Sequence, residues 1–71
     1  MDMRKLVGEN VRIARCDRGM TQEQLAELSG FSQQYISDLE RGLRNPTVVT
    51  LFELAQALGT TPVMLIAEPS K

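Results

Sequence analysis

The stretch Thr21 to Arg41, TQEQLAELSGFSQQYISDLER, decides how the chain is read. Thr21 followed three residues later by Gln24 is the pattern of a capping box: the threonine hydroxyl accepts from a first-turn amide, and the glutamine side chain answers the threonine's own N–H. A helix therefore opens at Thr21, with Leu25 and Leu28 expected to face inward and Ala26 small where a crossing helix comes close. Gly30 supplies the positive φ that ends it. Phe31 is expected to pack beneath the turn, and Ser32 caps the next helix. With only Ser29 to Phe31 between them, the two helices must cross steeply, which is the geometry of a helix-turn-helix.

The second of these helices divides by face. At about 100° per residue, Tyr35, Ile36 and Leu39 share one arc, while Gln33, Gln34, Ser37, Asp38 and Arg41 fall in another of about 140°. Such a helix has a buried side and a side that only a ligand would use. A glutamine amide carries a donor and an acceptor at fixed separation and pairs with the edge of adenine; an aspartate accepts from the cytosine amino group. Gln33, Gln34, Ser37 and Asp38 are accordingly the candidate base readers. Taken singly, each is an ordinary exposed polar residue. As a row on a short, protruding helix they point to a ligand. Glu40 lies only about 40° from Ile36, at the margin of the buried face. A carboxylate there requires a partner, and Arg15, on the flank of the preceding apolar stripe, is the one whose guanidinium can bond it through two parallel contacts.

Outward from this stretch the chain continues to read as helix. Met3 to Arg18 carries Met3, Val7, Val11 and Ala14 at helical spacing, widened by Leu6 and Ile13, with Arg4, Lys5, Arg12 and Arg15 on the other side. That basic row reads as a solvated face. Gly8 interrupts the helix at a cost of about 1 kcal/mol relative to Ala, for which close packing is the available explanation. After Arg41-Gly42, Pro46 holds Asn45 extended, and Thr47 caps a fourth helix with an inner stripe of Val48, Leu51, Leu54, Ala55 and Leu58, stopped by Gly59. Thr61-Pro62 opens a short fifth helix with proline at its first position. Leu65 is assigned inward, and 68–71 reads as a frayed tail. No stretch alternates like a strand, so the fold class is all-α, a single domain over residues 1–71 with its helix-turn-helix at 21–41.

Composition bounds the function. The 71 residues carry 42% hydrophobic side chains with Phe31, Phe52 and Tyr35 as the only aromatics, an aliphatic core suited to packed helices. A single cysteine, Cys16, forms no internal disulfide, and the start is not signal-like, which points to a reducing, cytoplasmic setting. The longest apolar run, Val63 to Ala67, is too short to cross a membrane. There is no histidine, no metal-spaced cysteine pair and no glycine-rich phosphate loop, so an enzyme, a metal and a cofactor are not expected, nor is a small-molecule ligand. The net charge of −1 weighs against nucleic acid, whose partners are usually basic.

Against that charge stands a specific pattern. Gln22 and Glu23 after the cap, Leu25-Ala26, Gly30, Ser32, Ile36-Ser37, Leu39-Glu40-Arg41-Gly42, Arg44-Asn45-Pro46 and Leu51…Leu54-Ala55…Ala57-Leu58-Gly59 together resemble the phage-repressor and Cro-like helix-turn-helix domains, the XRE family, over Leu6 to about Ile66. The resemblance implies a compact five-helix, lambda-repressor-like domain that binds operator DNA, usually as a dimer, to regulate transcription. It implies that Gln22 clamps a phosphate, that Gln33 and Gln34 lead base reading, and that Arg15 and Glu40 form an inter-helix salt bridge. Tyr35 to Asp38 with Arg44-Asn45-Pro46 looks most like the restriction-modification controller branch.

The reading that follows is a regulator whose third helix enters the major groove of double-stranded DNA. Thr21, Gln22, Ser32, Tyr35, Arg41, Arg44 and Asn45 are its candidate phosphate contacts. Phe52, Thr60, Val63, Met64 and Ile66 are the candidate self-contact of a homodimer, since a short helix buries only part of four consecutive apolar residues; a fully buried last helix is the competing arrangement. The rival from another class is a protein-interaction module or antitoxin-type adaptor, supported by the acidic Glu23, Glu27 and Asp38.

Overall fold

The computed structural model describes residues 2–68 and is all-α, without a strand among them. Its helices are α1 (Met3–Asp17), α2 (Gln22–Ser29), α3 (Gln33–Glu40), α4 (Val48–Leu58) and α5 (Pro62–Ile66). The expected tail falls mostly on residues 69–71, outside the described range; Glu68 is exposed.

Each helix starts where a short polar side chain satisfies first-turn amides: Asp2, Thr21, Ser32, Thr47 and Thr61 all act as N-caps. The capping box at α2 is complete, with Gln24 N donating to Thr21 Oγ1 at 3.1 Å and Thr21 N donating to Gln24 Oε1 at 2.8 Å. Gly30, at φ 84°, ends α2 in the left-handed region and lets the chain turn directly into α3.

α1 packs on α3 and α5, α2 on α3 and α4, and α4 on α5. One core results, formed by Val7 and Val11 of α1, Leu25 and Ala26 of α2, Ile36 and Leu39 of α3, Leu54, Ala55 and Leu58 of α4, and Leu65 of α5. Four residues expected in the apolar stripes are instead exposed. Leu28 is 63% exposed because the inner face of α2 runs through Gln22, Leu25, Ala26 and Ser29, the i, i+3, i+4, i+7 row, of which two members are polar. Val48 is 80% exposed; the α4 stripe begins a turn later, at Leu51, and Val48 extends past the end of the core. Met3 and Ile13 are likewise exposed, one at the first position of α1 and the other beside the stripe of Val7 and Val11.

Gly8 now has a physical account. A Cβ at this position would stand 2.4 Å from the carbonyl oxygen of Leu39 and 3.0 Å from that of Glu40. The absent side chain lets α1 touch the backbone at the C-terminal end of α3, so the angle of α3 is set by main chain against main chain. Two residues further along α1, Asn10 donates its side-chain amide to the carbonyls of Leu65 at 3.0 Å and Ala67 at 2.8 Å. It thereby satisfies backbone groups that the five-residue α5 leaves open. No helix among the described residues is long and apolar enough to cross a membrane.

Candidate nucleic-acid interface

The candidate interface is built on a clamp beneath it. Arg15 Nε donates to Glu40 Oε2 at 2.7 Å and Arg15 Nη2 to Glu40 Oε1 at 3.0 Å, a bidentate pair joining α1 to α3. The Glu40 side chain is 4% exposed. Arg15 also donates to the Met20 carbonyl at 2.7 Å, and Gln22 Nε2 donates to Glu40 Oε1 at 3.1 Å. The carboxylate therefore accepts from three donors, as a charge this secluded requires. Donation to Glu40 raises the pKa of the Arg15 guanidinium above its ordinary value, against an opposing effect of burial.

Above the clamp, Ile36 and Leu39 are fully buried and fix the roll of α3. Gln33 and Gln34 are exposed and Ser37 half-exposed on the opposite side. Asp38 departs from the expected row. Its side chain is 17% exposed, and its oxygens are divided: Oδ1 accepts from Gln34 Nε2 at 2.9 Å, and Oδ2 accepts from Arg44 Nη2 at 3.4 Å. Arg41 Nη1 stands 3.8 Å from Oδ1. The carboxylate thus lies along the protein surface among neighbours, not outward with the glutamines.

The phosphate candidates separate into groups. Thr21 and Ser32 are exposed caps whose hydroxyls accept from Gln24 N and Tyr35 N. Gln22 is half-buried against Glu40. Tyr35 stacks on Phe31 with ring centroids 5.1 Å apart, and the Arg44 guanidinium lies over the Tyr35 ring, 5.3 Å from its centroid. Arg41, Arg44 and Asn45 are exposed. Gln34, Tyr35, Asp38, Arg41 and Arg44 therefore form one connected group, which the helical angles alone do not reveal because Arg44 belongs to the loop. Two members of the basic row of α1 pair locally: Arg12 meets Glu9 within the helix at 2.7 Å, and Arg4 lies 3.9 Å from the N-cap Asp2.

The expected self-contact residues lie apart from this face in the chain, Phe52 on α4 and the rest on or before α5. Phe52, Val63, Met64 and Ile66 are exposed, and Thr60 is half-buried. Val49, also exposed, lies one turn before Phe52 on α4. Asn10 and the Gln22–Glu40 bond were missed in the sequence. Only the spacing of Gln22 from Leu25, Ala26 and Ser29 could have signalled the latter.

The helix-turn-helix family profile matches residues 11–65. The chain is 64% identical over 66 residues to the uncharacterized HTH-type transcriptional regulator y4dJ of Sinorhizobium fredii, covering 93% of this chain and 86% of that protein. It is 46% identical to the control protein C.SmaI of Serratia marcescens, covering 93% and 79%. Among solved structures, the restriction-modification controller protein C.Esp1396I, as a tetramer in complex with its natural 35-base-pair operator, matches with a TM-score of 0.83 at 32% identity, covering 92% of this chain and 86% of that one. The chain belongs to the XRE-type helix-turn-helix family, with restriction-modification controller proteins among its close relatives.

Proposed function

We propose that the chain is a sequence-specific DNA-binding regulator of transcription that acts in the cytoplasm as a homodimer on double-stranded operator DNA. The observation that carries this reading is the division of α3. Ile36 and Leu39 anchor it in the core, while Gln33 and Gln34 stand exposed at its N-terminal end, where a recognition helix addresses base edges in the major groove. Ser37 extends the same face. α2 lies across the backbone, and Gln22, Arg41, Arg44 and Asn45 hold phosphates together with the caps Thr21 and Ser32 and with Tyr35. The family is a non-enzymatic DNA-binding class, and the operator-bound controller protein supports the same assignment.

Dimerisation follows from size and charge. The molecule measures 29 Å along its longest axis, less than the roughly 34 Å between half-sites one helical turn apart. Two copies side by side can address both half-sites and add their contacts. The exposed Val63, Met64 and Ile66, with Phe52 and Thr60, supply the self-contact. A protein-interaction module is the second reading, favoured by the net charge of −1 and the exposed Glu23 and Glu27.

Selection of bound sites from random duplex DNA, followed by gel-shift titration of the wild type, Gln33→Ala and Gln34→Ala, separates the two. A two-fold symmetric site bound at least tenfold more weakly by each variant is expected, from the roughly 1–3 kcal/mol of discrimination per good bidentate contact. Recovery of no site, or binding indifferent to both substitutions, would favour the protein-interaction reading.

A further inference from the structure

Asp38 presents a contradiction that the proposed function leaves open. A carboxylate on the outward half of a recognition helix repels phosphates, yet it is present between two candidate base readers, Gln34 and Ser37, and the candidate cations Arg41 and Arg44. Its geometry resolves the contradiction. One oxygen accepts from the Gln34 side-chain amide at 2.9 Å, across one helical turn. The other accepts from Arg44 at 3.4 Å, across the α3–α4 loop. Arg44 is at the same time 5.3 Å from the centroid of Tyr35, and Tyr35 is held by its stack on Phe31. With Arg41 3.8 Å away, the negative charge is met by two guanidinium groups before any nucleic acid approaches.

We infer that Asp38 is a positioning residue: one carboxylate oxygen sets the side-chain amide of Gln34, and the other holds Arg44 against Tyr35, so that a base reader and a phosphate-binding cation are arranged in advance. The inference rests on the proposed DNA-binding function and deepens it. A glutamine amide has two N–H groups and one oxygen. Nε2 bonded to a carboxylate fixes which end of the amide is nitrogen, leaving Oε1 and the second N–H for a base edge. A free glutamine samples both orientations and several rotamers, all but one of which must be given up on binding. Fixing it in advance sharpens its preference for a base that offers the matching donor and acceptor. Asp38 contributes to specificity through Gln34, not by touching a base.

The test uses the full chain and its selected operator, with every single base-pair substitution of one half-site measured by fluorescence anisotropy. Gln34→Ala locates the base pair at which Gln34 discriminates. Asp38→Ala is expected to lose roughly five- to tenfold of discrimination at that same base pair, and to lose nothing more there in the Gln34→Ala background. Asp38→Asn keeps an acceptor for Gln34 but drops the charge that holds Arg44. It should retain the preference at that pair while shifting affinity for all sequences together. Asp38→Ser, which is too short to reach Gln34, repeats the alanine test if the alanine variant does not fold. In the free protein, the Gln34 Nε2 proton bonded to Asp38 should move to the chemical shift of a free glutamine amide in Asp38→Ala and Asp38→Ser but keep its displaced shift in Asp38→Asn. Discrimination lost at a different base pair from that of Gln34 would show direct reading by Asp38 and overturn the inference. So would discrimination left intact in Asp38→Ala and Asp38→Ser, or an operator on which Gln34→Ala has no effect. In those outcomes DNA binding itself stands; recovery of no operator at all removes the DNA-binding reading, and this inference with it.

Discussion

Glu40 lies with its side chain 4% exposed, and its surroundings explain why such a residue is tolerated. A secluded carboxylate is costly alone and acceptable when its lone pairs are taken up. Here Arg15 supplies two donors and Gln22 a third. Removing Arg15 leaves the charge with one neutral partner. Arg15→Met should therefore destabilise by about 2–3 kcal/mol, at the low end for a broken buried pair because the Arg15 side chain is 14% exposed. In a domain of this size that lowers Tm by roughly 10–20 °C in a circular-dichroism melt. A change within the roughly 0.5 kcal/mol of an ordinary surface substitution would show that the pair contributes nothing.

The same scale shows where reading of the sequence stopped. The angular position of Glu40 implies a partner, and a complementary charge at the edge of another apolar stripe is visible in one dimension. Gln22 as a partner is not, since a glutamine after an N-cap looks the same whether it faces water or a carboxylate. Asp38 was placed by angle alone among the outward residues, and the angle cannot register that Arg44, six positions on and in a loop, returns to meet it. Gly8 could be marked as anomalous, but its reason lies in the carbonyls of Leu39 and Glu40, more than thirty positions away.

Among the elements, caps were legible because they are local: a hydroxyl and the amides it satisfies are within three residues. Apolar stripes were legible where every member was apolar, as from Leu51 to Leu58, and misread in α2, where the inward face includes Gln22 and Ser29 and the apolar Leu28 points to solvent. α5 is the element least able to stand alone. Five residues lie far below the length at which an isolated helix persists in water. It is held by Pro62 at its start, Leu65 in the core and the Asn10 amide at its end. Val63 and Met64, 66% and 61% exposed, are free to serve another surface. Met64→Lys should leave Tm at low concentration within about 2–4 °C, since exposed substitutions change stability by under roughly 0.5 kcal/mol. It should weaken self-association by at least tenfold, the desolvation cost of an unpaired charge at an apolar contact. Sedimentation equilibrium of the two proteins decides it: equal dissociation constants would place the self-contact elsewhere.

For the molecule as a whole the net charge is −1, and the cations of α1 are mostly engaged by Glu9, Asp2 and Glu40. Few remain for phosphates. Each phosphate neutralised adds about 0.9 to the slope of log K against log salt. The operator complex of a dimer is therefore expected to lose affinity with salt less steeply than its class, with fewer than about ten ions released. Titrations between low and moderate salt measure this directly; a slope implying ten or more would mean that cations now paired within the protein are redirected to DNA.

The contact at Gly8 has a consequence for how the molecule can change. Because the C-terminal end of α3 is seated by its own backbone against α1, and its roll by Ile36 and Leu39, nothing that orients the helix depends on positions 33, 34 or 37. Those three can be rewritten without disturbing the seat. A library randomised at them should consist mostly of cooperatively melting proteins with altered binding preferences, while even a modest change at Gly8 spreads to every sequence the helix could read. The fold in this sense separates a fixed socket from an exchangeable face, and new binding preferences can arise at the face alone.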